Sequence, residues 1–233
     1  MNKLPWPKII LVVTLFATIA GAIFSTKTLA DINKNIAAAK EATRPANVKI
    51  IKINTPNCTD CFNVDSAIAG FKKLNVKVEE EKTLAFDSPE ASASIKQLAI
   101  KRVPTYFVTG EVTKNNLEDF VKSNGELRDN TFIFTKLSPV FIDTGTGQEM
   151  GRVDLIYLTD SSCTDCYKAQ DVQKPILTEG YGAAIRSQRS VDISSVEGKS
   201  LLARYGITKV PTILISPEAD QYANLKNVWK NVG

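Results

Sequence analysis

The tetrapeptide Cys58-Thr59-Asp60-Cys61 recurs letter for letter as Cys163-Thr164-Asp165-Cys166, 105 positions later. The two copies use all 4 cysteines of the chain. Each follows a short apolar run rich in β-branched residues, Val48 to Ile53 and Val153 to Leu158, of the kind that forms a buried strand. Each is itself followed by a Val-Pro-Thr, at Val103-Pro104-Thr105 and at Val210-Pro211-Thr212. Every residue from Val48 to Cys61 has its partner 105 positions on, and Asp87 and Asp192 keep that register. Pro104 and Pro211 lie 107 apart, so the second copy carries a net two extra residues before its proline. Self-similarity at this period means two copies of one domain in tandem.

The 233 residues suffice for two domains of about 100 residues each. A hydrophobic content of 43% and a charged content of 23% are those of ordinary globular domains. The net charge of +4 comes from Lys and Arg scattered among Asp and Glu, a solvated surface with no nucleic-acid footprint. There is no histidine, which excludes Ser-His-Asp and Cys-His nucleophilic sites and histidine metal sites.

The N-terminus reads as an export or anchoring segment. Lys3 and Lys8 precede Ile9 to Phe24, an uncharged apolar run of sixteen residues. A basic start before an apolar run directs the downstream chain out of the cytoplasm. Sixteen is short against the roughly 17–25 residues of a membrane helix, but Leu4, Trp6 and the stretch through Ala30 can extend it. An uncleaved anchor is favoured over a cleaved signal, and both readings send the cysteines to the same oxidising side. Thr28 to Thr43 then read as an Ala- and Lys-rich helix ended by Arg44-Pro45, a stalk or a helix packed on the first domain. The expected segments are 1–30 (anchor or signal), 31–46 (helical linker), 47–138 (first domain) and 139–233 (second domain).

Within the first domain the pattern predicts strand 48–53, helix 62–74, a strand from 76 to 80, helix 89–101, strand 105–108, helix 116–123 and strand 131–134. The second repeats it with strand 153–158, helix 167–178, strand 183–191, helix 195–205, strand 212–215 and helix 223–231. Val140 to Asp143, the turn Thr144-Gly145-Thr146-Gly147 and Val153 onward read as a hairpin into the second domain. By the repeat, the second domain has no counterpart of the strand around Phe132 to Phe134, as if the sequence were a fragment or the domain ended short.

A Cys-x-x-Cys on the turn after a buried strand forms a dithiol that can close and open. Cys58 and Cys163 are expected at helix N-termini, where the helix dipole favours a thiolate, and Cys61 and Cys166, one turn on, would resolve a mixed disulfide. With its strands, its two Cys-x-x-Cys motifs and its two Val-Pro-Thr motifs, the chain resembles the thioredoxin-like superfamily, and within it tandem-domain protein disulfide oxidoreductases, over residues 48–233. The resemblance implies an α/β fold, with two tandem thioredoxin-like domains after the N-terminal helix, each a mixed central sheet flanked by helices. It implies thiol–disulfide exchange on protein substrates and no cofactor. Cys58, Cys61, Cys163 and Cys166 would be catalytic. Pro104 and Pro211, in the cis form beside their dithiols and preceded by Val103 and Val210, would present a backbone edge to substrate.

The chain departs from the family pattern inside the motif. Thr-Asp stands between the cysteines, Asn57 and Ser162 stand where an aromatic is usual, and Lys52 and Tyr157 occupy the place of a buried acid. Asp60 and Asp165 are expected to tune the thiols, either by raising the pKa of Cys58 and Cys163 through like-charge repulsion or by accepting a proton from Cys61 and Cys166. Other readings stay open: structural disulfides, although four-residue loops make poor staples; one zinc shared by four cysteines; or a binding module. The favoured reading is a membrane-anchored, extracytoplasmic thiol–disulfide oxidoreductase with protein thiols or disulfides and a redox partner as its partners, without metal, cofactor or nucleic acid.

Overall fold

The computed structural model describes Leu29, residues 31–114 and residues 117–232. The chain divides into two compact units, Met1–Ala46 and Asn47–Gly233. In the first, residues 31–43 form helix α1, which stops short of Pro45 as predicted. The expected anchor at 9–24 lies outside the described residues. No helix among the described residues is long and apolar enough to cross a membrane.

The second unit is mixed α/β, with sheets flanked by helices. Its first half runs β1 (Ala46–Asn54), α2 (Val64–Phe71), β2 (Val76–Ala85), α3 (Pro89–Gln97), β3 (Arg102–Val103), β4 (Thr105–Gly110), α4 (Glu118–Asn124), β5 (Gly125–Arg128) and β6 (Thr131–Phe134). A hairpin follows, β7 (Phe141–Asp143) and β8 (Glu149–Met150). The second half runs β9 (Val153–Thr159), α5 (Ala169–Pro175), a π-helical turn Ile176–Gly180, β10 (Ile185–Asp192), α6 (Val196–Tyr205), β11 (Thr212–Ile215), a 3-10 turn Pro217–Gln221 and α7 (Ala223–Val232).

The strand preceding each Cys-x-x-Cys is an inner strand of its sheet. The first sheet has the order β2-β1-β4-β6-β5, with β4 antiparallel to β1 from Val48↔Gly110 to Ile53↔Thr105. The second has the order β10-β9-β11, with β10 parallel and β11 antiparallel to β9. Alternation along β4 sends neighbouring side chains to opposite faces. Tyr106 packs with Phe71, Phe132 and Phe134 on one face. Phe107 joins Ile53, Leu84, Ala91 and Ile133 on the other. In the second half Leu155 and Tyr157 of β9 pack with Leu177, Ile213 and Leu225.

Helix starts follow the capping residues. Asn63 caps α2 by accepting from the Asp65 N–H at 3.0 Å, Ser88 caps α3 through Ala91, and Ser195 caps α6 through Gly198. Strand β5 escaped the sequence reading. It pairs with β6 across Asp129 and Asn130, whose φ values of 47° and 56° form the left-handed two-residue turn favoured in hairpins. The expected hairpin forms with a different return strand: 141–143 pair with Glu149–Met150 as β7–β8, while Val153 onward becomes β9 of the second sheet. The hairpin also does more than link the halves. It builds a third sheet, β3-β7-β8, on the backbone just before Pro104.

The Tyr106 hydroxyl is buried without a hydrogen-bond partner among the described residues, and burial pushes its pKa up. An unsatisfied buried hydroxyl costs about 1–3 kcal/mol. We therefore expect Tyr106→Phe to raise stability by about 1 kcal/mol, read as a higher urea midpoint at unchanged slope.

Candidate functional site

Both motifs fold into the same local structure. Cys58 is disulfide-bonded to Cys61, and Cys163 to Cys166. The two Cα–Cα distances are 5.4 Å and 5.5 Å. Each first cysteine closes a turn with its backbone N–H, Cys58 to the Thr55 carbonyl at 3.1 Å and Cys163 to the Asp160 carbonyl at 3.2 Å.

These turns do not begin helices. The N-caps are Asn63 and Lys168, and the first helical residues are Val64 and Ala169. Cys58 and Cys163 therefore lie upstream of the first turn, beyond the short reach of the helix dipole. The expected activation by a helix N-terminus is corrected by the structure. The sequence reading started helices at Phe62 and Tyr167, where the Asn63 cap fixes the true start of the first.

Each disulfide opens into a cleft that it shares with its proline. The first cleft, about 310 Å³, is lined by Cys58, Cys61, Pro104, Lys52 and Asp65. The second, about 420 Å³, is lined by Cys163, Cys166, Pro211, Tyr157 and Tyr167. The bonds Val103–Pro104 and Val210–Pro211 are cis, as is Pro139–Val140. The structure thus brings each pair of cysteines together with the proline that follows it by forty-odd residues.

The walls of the clefts differ. In the first, Lys52 pairs with Asp65 of α2 at 2.5 Å, so an ion pair lines the cleft. In the second, the Tyr157 hydroxyl donates to the Gln188 side chain at 3.2 Å, and burial raises its pKa. The Tyr167 hydroxyl donates to the Pro211 carbonyl at 3.1 Å.

The surroundings differ more. Val103, Pro104 and Thr105 are buried, whereas Val210, Pro211 and Thr212 are half-exposed. The β7–β8 hairpin accounts for the first set: Arg102↔Asp143 and Val103↔Ile142 pair, and the Phe62 N–H donates to the Val140 carbonyl at 2.9 Å. Past the hairpin, Gly151 turns the chain into β9 at φ +96°, a conformation strained for L side chains. A Cβ there would lie 2.6 Å from Pro139 Cβ.

That turn brings two residues to Cys58 that the sequence reading missed. Glu149 Oε2 lies 3.3 Å from Cys58 Sγ, and Cys58 is only 9% exposed. Arg152 donates through Nε to Glu149 Oε1 and through a second nitrogen to Asp60 Oδ2 at 2.7 Å. The hydrogen bonds to Glu149, then to Asp60, hold the Arg152 guanidinium above its ordinary pKa. Asp60 and Asp165, alike in sequence, are therefore in different states. Asp60 is ion-paired with Arg152, while Asp165 is exposed and has no ion pair among the described residues. No sequence signal pointed to Glu149 or Arg152, because they lie between the repeats and have no counterpart in the 105-residue register.

The second site has its own support in Asp192. Its Oδ2 accepts from the Ser161 N–H at 2.7 Å, and its Oδ1 from the Ser194 N–H at 2.8 Å and the Ser194 hydroxyl. Pro56 stands at the Ser161 position of the first copy and has no N–H to offer.

No family model matches the chain, and no curated protein matches it. Among solved structures it is similar to the alkylhydroperoxide reductase AhpF from Enterococcus faecalis (V583), at 12% identity and a TM-score of 0.26 over 80% of this chain and 89% of the other. It is also similar to a protein disulfide oxidoreductase from Aeropyrum pernix K1, at 15% identity and a TM-score of 0.23 over 82% of this chain and 89% of the other. At scores this low the sites stand on their own geometry.

The hydrogen bonds from Ser194, then from Ser161, hold the Asp192 carboxyl well below its ordinary pKa. A carboxylate whose folded pKa is depressed stabilises the fold fully above its unfolded pKa of about 4, and this is lost as pH falls through the lower folded value. We expect Asp192→Asn to be less stable than the parent at neutral pH. The gap should narrow only in strong acid, as measured by denaturant midpoints across a pH series.

Proposed function

We propose that the protein is a thiol–disulfide oxidoreductase acting on protein thiols and disulfides through two dithiol sites, Cys58/Cys61 and Cys163/Cys166. One observation carries this reading. Twice in the chain a Cys-x-x-Cys pair at the end of an inner strand lines a cleft together with a distant proline, Pro104 or Pro211. A disulfide kept only as a staple needs no such cleft, and closing a four-residue loop contributes only about 2 kcal/mol in the chain-entropy picture.

Val210 and Pro211 are the open backbone edge for an extended substrate, whereas at site one Val103 is buried and paired with Ile142 of β7, which leaves Pro104 in the cleft as the substrate-facing residue. Site two is the more accessible, since Val210 and Pro211 are half-exposed. In the reducing direction the Cys163 thiolate attacks one sulfur of a substrate disulfide, whose S–S bond breaks and whose other sulfur leaves as a thiolate. Cys166 then attacks the mixed disulfide, closes the Cys163–Cys166 bond and releases the second substrate thiol. In the oxidising direction the same steps run backwards. Cys58 and Cys61 take these roles at site one. The oxidised state of all four cysteines fits an extracytoplasmic location, with residues 9–24 as membrane anchor and Lys3 and Lys8 on the inner side.

Resolving-cysteine variants test the reading. Cys61→Ser and Cys166→Ser should each accumulate mixed disulfides with reduced or scrambled protein substrates, seen on non-reducing gels and mapped to Cys58 and Cys163. Loss of the traps on adding Cys58→Ser or Cys163→Ser is the expected control. Traps that form through Cys61 in a Cys58→Ser single variant, or through Cys166 in a Cys163→Ser single variant, while Cys61→Ser and Cys166→Ser give none, would reverse the assignment, and exchange that survives loss of all four thiols would end it.

A further inference from the structure

We propose that Glu149 sets the acidity of Cys58, so that the first dithiol is a weaker acid than it would otherwise be and differs chemically from the second. The inference deepens the two-site reading above and rests on it.

In the oxidised protein Cys58 Sγ carries no proton, so its 3.3 Å approach to Glu149 Oε2 is a contact and not a donated hydrogen bond. Reduction changes this. Cys58–S–S–Cys61 and a dithiol reductant become two site thiols and the reductant's own disulfide. Two electrons and two protons pass to the site. The new Cys58 S–H then faces a carboxylate oxygen at hydrogen-bond distance for sulfur. The thiol can donate to it, whereas a thiolate would be repelled by it. Both effects favour the protonated form and raise the thiol pKa.

The carboxylate is held in place. Arg152 takes Glu149 Oε1 and leaves Oε2 toward the sulfur. Its second bond, to Asp60 Oδ2, fastens the same guanidinium to the Cys-x-x-Cys turn. The β3–β7 pairing and the β7–β8 pairing, Ile142↔Glu149, fix the backbone from which Glu149 projects. Cys58 is only 9% exposed, while the Glu149 carboxylate is itself exposed, so water screens the pair from the carboxylate's side alone.

The charged groups around Cys58 are these: Glu149 from β8, Arg152 beyond it, Asp60 on the cysteine's own turn, and Lys52 of β1 paired with Asp65 of α2 across the cleft. Arg152 balances Glu149 in part and is a positioning residue. Among the described residues no hydrogen bond reaches the Cys163 sulfur, and the register gives Glu149 no second copy.

The test uses the full chain with Cys163→Ser and Cys166→Ser, so that only site one titrates. Ultraviolet thiolate absorbance and the alkylation rate of Cys58, resolved by peptide mass, are followed against pH. Glu149→Gln should increase the Cys58 thiolate fraction at neutral pH about tenfold and make the site a stronger oxidant in a dithiol redox buffer. Glu149→Asp should keep most of the parent's high value. Arg152→Met should move the titration the other way, because an uncompensated Glu149 repels the thiolate more. A Glu149→Gln titration superimposed on the parent's, in a protein with unchanged circular dichroism, would overturn the proposal, as would a shift upward. These titrations read acidity alone, so they succeed or fail independently of whether the protein exchanges disulfides with substrates.

Discussion

The short antiparallel pairing of β3 with β7 is the contact on which the asymmetry of this molecule depends. It spans only Arg102↔Asp143 and Val103↔Ile142. Yet it ties the hairpin between the repeats to the backbone just ahead of Pro104. Once β7 is seated there, β8 lies over the Cys58 turn and Glu149 reaches the sulfur. Arg102 adds a cation–π contact over the Phe141 ring at 4.4 Å to the centroid, which covers an apolar residue of the same strand. Two repeats that match letter for letter at their cysteines are thereby placed in different surroundings.

The differences are chemical as well as steric. Site one has a buried first cysteine, a carboxylate against its sulfur and a guanidinium bridging that carboxylate to Asp60. Site two has half-exposed cysteines, an unpaired Asp165 among the described residues, and a tyrosine hydroxyl on the proline carbonyl. A thiolate is the reacting form in exchange. Groups that favour or oppose a charge at the first sulfur therefore distinguish two motifs that are identical in sequence. Neither site draws on a helix N-terminus, since Asn63 and Lys168 place the helix starts downstream.

Much of this was legible in the sequence because it is periodic or local. The 105-residue register located both strand–turn units, and runs of β-branched residues marked β1 and β9. Ser88 before Pro89 marked the start of α3, and Pro45 the end of α1. Other features were not legible because they are non-local or fine-grained. The Asp129-Asn130 turn adds β5 by a left-handed backbone that periodicity does not report. Asn63 moves the start of α2 from Phe62 to Val64, enough to remove the dipole argument for Cys58. Glu149 and Arg152 reach the Cys58 turn across 91 and 92 residues of chain, from a segment that the repeat does not duplicate. Internal repetition shows what the copies share, whereas the chemistry that distinguishes them lies in the segment between them.

The central claim is that both Cys-x-x-Cys pairs open and close in the folded protein. It is tested most directly by equilibrating the native chain in dithiol/disulfide buffers of graded potential and counting free thiols at each motif by alkylation and peptide mass. The account predicts that both pairs open reversibly, two thiols at a time, at distinct potentials and with the fold intact by circular dichroism. Pairs that stay closed until the protein unfolds, or that cannot re-form once opened, would contradict it.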